Sequence, residues 1–174
     1  MKIMVMAAGA VGGYFGSIMA KNHDVLLIAR GEHLHRIQEN GLQVRSITSG
    51  DFSTRVSAAD TPPSHYVPDI ILYCVKAYHN EEACEVIAPT VGSQTTILSL
   101  QNGIGCGDFL GSHFGKDKIL LGAAYIEASR GGPGVVQEHG GACRIALGDQ
   151  SGNLTDRAVR VGDLLKDCNI DQDR

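Results

Sequence analysis

Met1-Lys2-Ile3-Met4-Val5-Met6-Ala7-Ala8-Gly9-Ala10-Val11-Gly12-Gly13-Tyr14-Phe15-Gly16 opens the chain. Residues 2–7 are a short apolar run of the kind a buried strand carries. A glycine turn follows at once, and residues 10–21 then read as a helix with small residues on its sheet-facing side. Strand, glycine turn and helix in that order are the layout of a dinucleotide-binding βαβ unit, where a diphosphate rests on the helix N-terminus. Gly9 lets the backbone approach the diphosphate, and Gly12 lets the helix pack tightly on the sheet. The expected cradle is therefore Ala7, Ala8, Gly9, Ala10, Val11 and Gly12. The first glycine of G-x-G-x-x-G is replaced by Ala7. At positive φ an alanine there is strained by roughly 1 kcal/mol; at negative φ it costs little. The reading without a ligand is a glycine turn that only permits close packing.

The second strand sharpens the expectation. Val25-Leu26-Leu27-Ile28-Ala29 ends at Arg30, where an NAD-binding unit usually carries Asp or Glu for the ribose 2′-hydroxyl. A planar guanidinium suits a phosphate, so Arg30 points to NADP(H) with a contact to the 2′-phosphate. Its bland alternative is an exposed arginine at a strand end.

Further along, strand and helix patterns alternate. Residues 32–40 read as a helix stopped by Gly41, and 42–47 and 52–57 as a hairpin. Residues 60–68 hold three prolines and form a loop, and 69–75 are a buried strand leading into Lys76. A helix is expected over 79–88, ended by Pro89, and a strand over 95–100 that runs into Gln101-Asn102-Gly103. Strand-like runs cover 119–128 and 134–147, and Leu154, Ala158, Val161 and Leu165 mark one face of a last helix over 155–168. The fold class is therefore α/β: a Rossmann-like, doubly wound, mostly parallel sheet. Ligands of such sheets bind at the carboxyl edge, and the loops there are 7–12, 30–32, 76–79 and 101–105.

Composition limits the partners. With 43% hydrophobic residues the 174-residue chain has enough for one sizeable core, and with aromatics at 5% and no Trp that core must be aliphatic. A net charge of −4, with both signs interspersed, gives no general nucleic-acid surface. Five cysteines without a C-x-x-C favour neither a disulfide framework nor zinc, so reduced thiols in a cytoplasmic protein are expected. His79, His113 and His139 lack metal spacing and read as surface residues; no metal is expected. No apolar run reaches membrane-spanning length.

Five segments in register carry a resemblance. G-A-V-G-G-Y-F-G (9–16), I-A-R-G-E-H-L (28–34), C-V-K-A-Y (74–78), L-Q-N-G-I-G (100–105) and G-G-P-G-V-V-Q-E-H-G-G (131–141) together resemble the ketopantoate reductase (2-dehydropantoate 2-reductase) family. The resemblance runs from Met1 to about Cys168. It implies an NADPH enzyme that reduces ketopantoate to pantoate in pantothenate and coenzyme A synthesis. It assigns cofactor contacts to residues 7–12, Arg30, Lys76, Asn102 and Ala128, with Asn102 also facing the substrate. It implies residues 1–168 as the NADP-binding domain and 169–174 as the start of a linker to a helical domain absent from this chain. The proton donor of the family is a lysine on that domain, and no residue here matches it, so no catalytic residue is assigned within the 174. Lys166 belongs to the last helix of the nucleotide domain. The 174 residues alone are expected to bind NADPH weakly, with little or no reduction. A homodimer is the one protein partner raised. A reductase of another 2-keto acid and a non-catalytic NADP-binding module remain the alternatives; an S-adenosylmethionine site is disfavoured by Arg30.

Overall fold

A computed structural model describes residues 1–173. The main sheet takes β1 (Lys2–Met6), β2 (Asp24–Ile28), β5 (Ser57–Ala59), β6 (Ile70–Tyr73), β7 (Thr96–Ser99), β8 (Ile119–Tyr125), β11 (Arg144–Gly148) and β12 (Asp171–Asp173). Their order is β12-β11-β8-β7-β6-β1-β2-β5. From β5 to β8 all neighbours are parallel; β11 runs antiparallel to β8, and β12 parallel to β11. The mostly parallel, doubly wound sheet expected from the sequence is present. A smaller sheet of β3 (Leu42–Ser46), β4 (Phe52–Thr54), β9 (Ala128–Gly132) and β10 (Val135–Glu138) has the order β4-β3-β10-β9.

Among the described residues five α-helices complete the fold: α1 (Ala10–Met19), α2 (Gly31–Asn40), α3 (Asn80–Ile87), α4 (Cys106–Phe114) and α5 (Asp156–Asp167). Helices α1, α2 and α5 bury one face of the main sheet, with Phe15, Leu34, Ile37, Val161 and Leu165 packed on Ile3, Val5, Leu27, Leu98 and Ile145. Helices α3 and α4 bury the other, with Ala83, Ile87 and Leu110 against Met4, Ile71, Ile97 and Ile119. The β1, β6 and β7 strands are thus covered on both faces, which is why residues 3–6 and Ile70–Tyr73 are unbroken apolar runs rather than alternating ones, and why even Thr96 and Ser99 at the ends of β7 are buried.

Helix α1 lies between the two sheets, and this explains its glycines. A Cβ on Gly16 would stand 2.9 Å from Leu27 and Val5 of the main sheet, and one on Gly13 2.9 Å from Val136 of the small sheet. The small residues therefore serve two faces, not the single sheet-facing side read from the sequence. Tyr14 and Phe15 beside them are fully buried, and the Tyr14 hydroxyl lies 2.9 Å from Ser49 Oγ in the β3–β4 turn.

Several boundaries differ from the sequence reading. The expected hairpin is formed by β3 and β4, with Leu42 opposite Thr54. Its second half ends early, and Ser57–Ala59 cross to the main sheet to pair with Leu26–Ile28 as β5. Helix α4 was not expected: its glycines at 107 and 111 lower helix propensity. Gly107 allows close packing, since a Cβ there would meet the side chain of Gln150 at 2.2 Å. Leu154 is not on the buried face of α5 but 63% exposed ahead of it, because Thr155 caps the helix through Ala158 N–H. Residues 171–173, expected in a linker, pair with Arg144–Ala146 and add β12 to the main sheet; Arg174 lies outside the described residues. All five cysteines are free thiols, and no described helix is long and apolar enough to cross a membrane.

Candidate functional site

Strand β1 is flanked by β2 on one side and β6 on the other, and the chain's connections leave it in both directions. The carboxyl end of β1 is therefore the switch point at which doubly wound sheets open a crevice. A cavity of about 280 Å³ lies there, lined among others by Ala7, Ala8, Gly9, Arg30, Glu82 and Arg130.

The turn that floors this cavity is held from both sides. Ala8 N–H donates to the Ile28 carbonyl at 2.8 Å, tying the turn to the end of β2. Ala7 has φ +73°, so the replaced glycine does sit at a left-handed position. Ala7→Gly is expected to stabilise the fold by about 0.5 kcal/mol: relief of about 1–2 kcal/mol of strain exceeds the added freedom of the unfolded chain. Urea unfolding of the two proteins tests this, and a destabilised glycine variant would contradict it.

Gly9 is the N-cap of α1, and no side chain caps that end. The first amides of a helix have no partner within it, so those of Ala10, Val11 and Gly12 are left for an acceptor outside the chain. The first turn also carries no acid that would repel an anion. A Cβ on Gly9 would meet nothing within 4 Å: the space above it is open. One on Gly12 would stand 2.4 Å from the Ala7 carbonyl oxygen and 2.9 Å from Val5 Cγ1. Open space at Gly9 and none at Gly12 are the two conditions for a diphosphate lying on this helix, so the residues present fit a dinucleotide.

Arg30 is the N-cap of α2 and extends over the cavity half exposed, its Nη1 2.9 Å from Glu82 Oε1. With both partners about half exposed, this ion pair is worth about 0–1 kcal/mol. His33, one turn into α2, is buried. Its Nε2–H donates to the Ala8 carbonyl at 2.8 Å, and its Nδ1 accepts Gly134 N–H at 2.9 Å. One imidazole thus joins the glycine turn to the β9–β10 turn, and the two partners require the neutral ring with its proton on Nε2. Burial pushes its pKa below the ordinary value; the bond to Ala8 partly offsets this, and the Arg130 charge adds to the lowering.

Lys76, Asn102 and Ala128 do not line the cavity. Lys76 follows β6 and Asn102 follows β7, both exposed at the carboxyl edge. Gln101 couples the two loops: its Nε2 donates to the Val75 carbonyl and to Asn80 Oδ1, each at 2.7 Å. Ala128 is half-buried at the start of β9, opposite Glu138. The sequence reading missed His33, Glu82 and Arg130 as neighbours of the site. A signal existed for His33 alone, which shares the buried stripe of α2 with Leu34 and Ile37. The others reach the site only through the crossing of strands far apart in sequence. Of the histidines read as surface residues, His79 is exposed but lies in the cavity wall beside Glu82. Among the described residues no group of three or more metal-ligating side chains occurs.

Comparison with known proteins adds an independent line. The family model described as Ketopantoate reductase PanE/ApbA matches residues 3–152. A 2-dehydropantoate 2-reductase of Halobacterium salinarum is 32% identical over 143 residues, 81% of this chain and 47% of the relative. The crystal structure of 2-dehydropantoate 2-reductase from Geobacter metallireducens superposes with a TM-score of 0.92 at 33% identity, covering 99% of this chain and 57% of that one. A ternary structure of D-mandelate dehydrogenase with NADH and anilino(oxo)acetate superposes with a TM-score of 0.88 at 27% identity, over 99% of this chain and 56% of that one. The chain spans about half the length of the relatives it matches. A nucleotide-type crevice at the switch point, the motifs that line it and a family model over most of the length converge: this chain belongs to the ketopantoate reductase family.

Proposed function

We propose that these 174 residues are the cofactor-binding half of a cytoplasmic, NADPH-dependent 2-dehydropantoate 2-reductase, which makes pantoate for pantothenate and coenzyme A synthesis. The observation that carries the cofactor assignment is Arg30, half exposed over a cavity floored by Gly9. Backbone amides of residues 9–12 hold the diphosphate, and the Arg30 guanidinium holds the ribose 2′-phosphate through charge-assisted hydrogen bonds. Lys76 and Asn102, on adjoining loops coupled by Gln101, face the nicotinamide end. Asn102 offers both a donor and an acceptor, which orients a carboxamide or a substrate hydroxyl. Ala128 keeps the wall beside the nicotinamide small. Held by these residues, a reduced nicotinamide would supply the hydride for the ketone carbon of a keto acid, and reduction to the hydroxy acid would also need a proton at the ketone oxygen. None of the 174 residues is assigned as that proton donor, so the chain by itself is expected to bind cofactor with little turnover.

Titration with NADPH and NADH, followed by nicotinamide fluorescence, tests the assignment. Arg30→Ala is expected to weaken NADPH binding about tenfold or more, the order of one or two hydrogen bonds to a charged group, and to leave NADH nearly unchanged. Unaltered NADPH binding in that variant would refute the 2′-phosphate contact. Reduction of a different 2-keto acid is the second reading, favoured by the likeness to D-mandelate dehydrogenase. A panel of 2-keto acids, with NADPH oxidation followed at 174-residue and longer lengths of the protein, separates the two. Binding with no oxidation of NADPH by any of them at any length would favour a non-catalytic NADP module.

A further inference from the structure

The acid that NAD-binding units place at the end of the second strand is missing from β2, yet a carboxylate reaches the same spot from another element. Glu82, in the first turn of α3, lies across the cavity from the end of β2. Its Oε1 is 2.9 Å from Arg30 Nη1, and its Oε2 is 3.6 Å from His79 Nδ1. Arg30 and Glu82 are each about half exposed, so neither is fixed by packing and either can turn to a ligand. We propose that Glu82 sets the choice between phosphorylated and unphosphorylated ribose in this cavity. It competes with a 2′-phosphate for the Arg30 guanidinium, and it accepts a hydrogen bond from a free 2′-hydroxyl. The inference rests on Arg30 being the 2′-phosphate contact proposed above.

The chemistry runs in opposite directions for the two cofactors. A ribose 2′-phosphate brings between one and two negative charges to a guanidinium one of whose terminal nitrogens is already paired with a carboxylate. The phosphate must displace Glu82 or stand beside it, and either weakens binding. A 2′-hydroxyl carries no charge and finds in Glu82 the acceptor that other units supply from their second strand. The cavity therefore accepts both cofactors, and Glu82 holds its preference for NADPH below what Arg30 alone would give.

The test is titration of the 174-residue chain and its Glu82→Gln, Arg30→Ala and double variants with NADPH and NADH. Glu82→Gln is expected to tighten NADPH binding about fivefold, the order of an exposed ion pair, and to weaken or leave unchanged NADH binding. A change in fold would move both affinities the same way, so a gain confined to NADPH separates specificity from structure. In the double variant the gain for NADPH should vanish. Arg30→Ala weakening NADPH while Glu82→Gln tightens neither cofactor overturns the role of Glu82 and leaves that of Arg30 standing. A full NADPH gain retained in the double variant also overturns it, since Glu82 would then act without Arg30. Unchanged NADPH binding in Arg30→Ala overturns the Arg30 reading and this inference with it.

Discussion

Gly12→Ala is expected to destabilise the protein by about 2 kcal/mol and to abolish dinucleotide binding. The added methyl would stand 2.4 Å from the Ala7 carbonyl oxygen, 2.9 Å from Val5 Cγ1 and 3.2 Å from Cys74 Cβ. The first of these is backbone, held by the Ala8 bond to β2, and cannot swing aside like a side-chain tip. Overpacking of this kind costs about 3 kcal/mol, against about 1 kcal/mol gained from the better helix propensity of alanine. Relief comes only by moving the glycine turn or sliding α1, and both displace the amides that face the cavity. Gly9→Ser is the matched control. Gly9 has φ −78° and open space around its Cα, and serine is a good N-cap. Stability should hold, while the hydroxyl caps the helix itself and occupies the space of a diphosphate, weakening NADPH about tenfold or more. Thermal unfolding and cofactor titration of both variants read the two effects apart. A Gly12→Ala protein with unchanged stability and binding would refute the packing argument.

His33→Leu should cost about 3 kcal/mol. Leucine fills the volume, but the Ala8 carbonyl and the Gly134 N–H lose their partner inside the protein. Each buried backbone group left unpaired costs about 1–3 kcal/mol. The variant also has a pH signature. The ordinary imidazole value is near 6.5, and in the folded state burial holds His33 below it. The unfolded chain takes up a proton near pH 6.5 that the folded ring refuses. Stability therefore falls as pH drops through 6.5, and the fall ends once pH passes the lowered folded value. Protonation would also place a hydrogen on Nδ1, facing the Gly134 donor. Urea unfolding between pH 5 and 8 should show a slope that His33→Leu reduces. Some slope will remain from His23, whose pKa is lowered by burial and by the N-terminal charge, with Asp167 opposing. An identical slope in the variant would remove His33 from the account.

The residues that line the crevice differ in how far the sequence alone shows them there. Residues 2–16 are contiguous, so strand, turn and helix can be read from local pattern alone. Arg30 is likewise visible as the residue that stops the second apolar run, two positions after the end of β2. Glu82 is 52 positions away in sequence and reaches Arg30 only because β6 lies next to β1, which turns α3 towards the same crevice. No spacing in the chain encodes that meeting.

By itself, the sequence determined most of the order of elements, with α4, β5 and β12 missed, the mostly parallel sheet and the glycine turn at its carboxyl edge. These follow from the runs and periods of apolar residues and from the spacing of the glycines, both local properties. Tertiary structure alone decided the sign of φ at Ala7 and the second sheet against α1. It also decided the bridge of His33 from Ala8 to Gly134, the joining of residues 171–173 to β11, and the carboxylate facing Arg30. Each of these depends on which distant strands become neighbours. That is settled by the burial of whole faces, to which any single residue contributes only a small part.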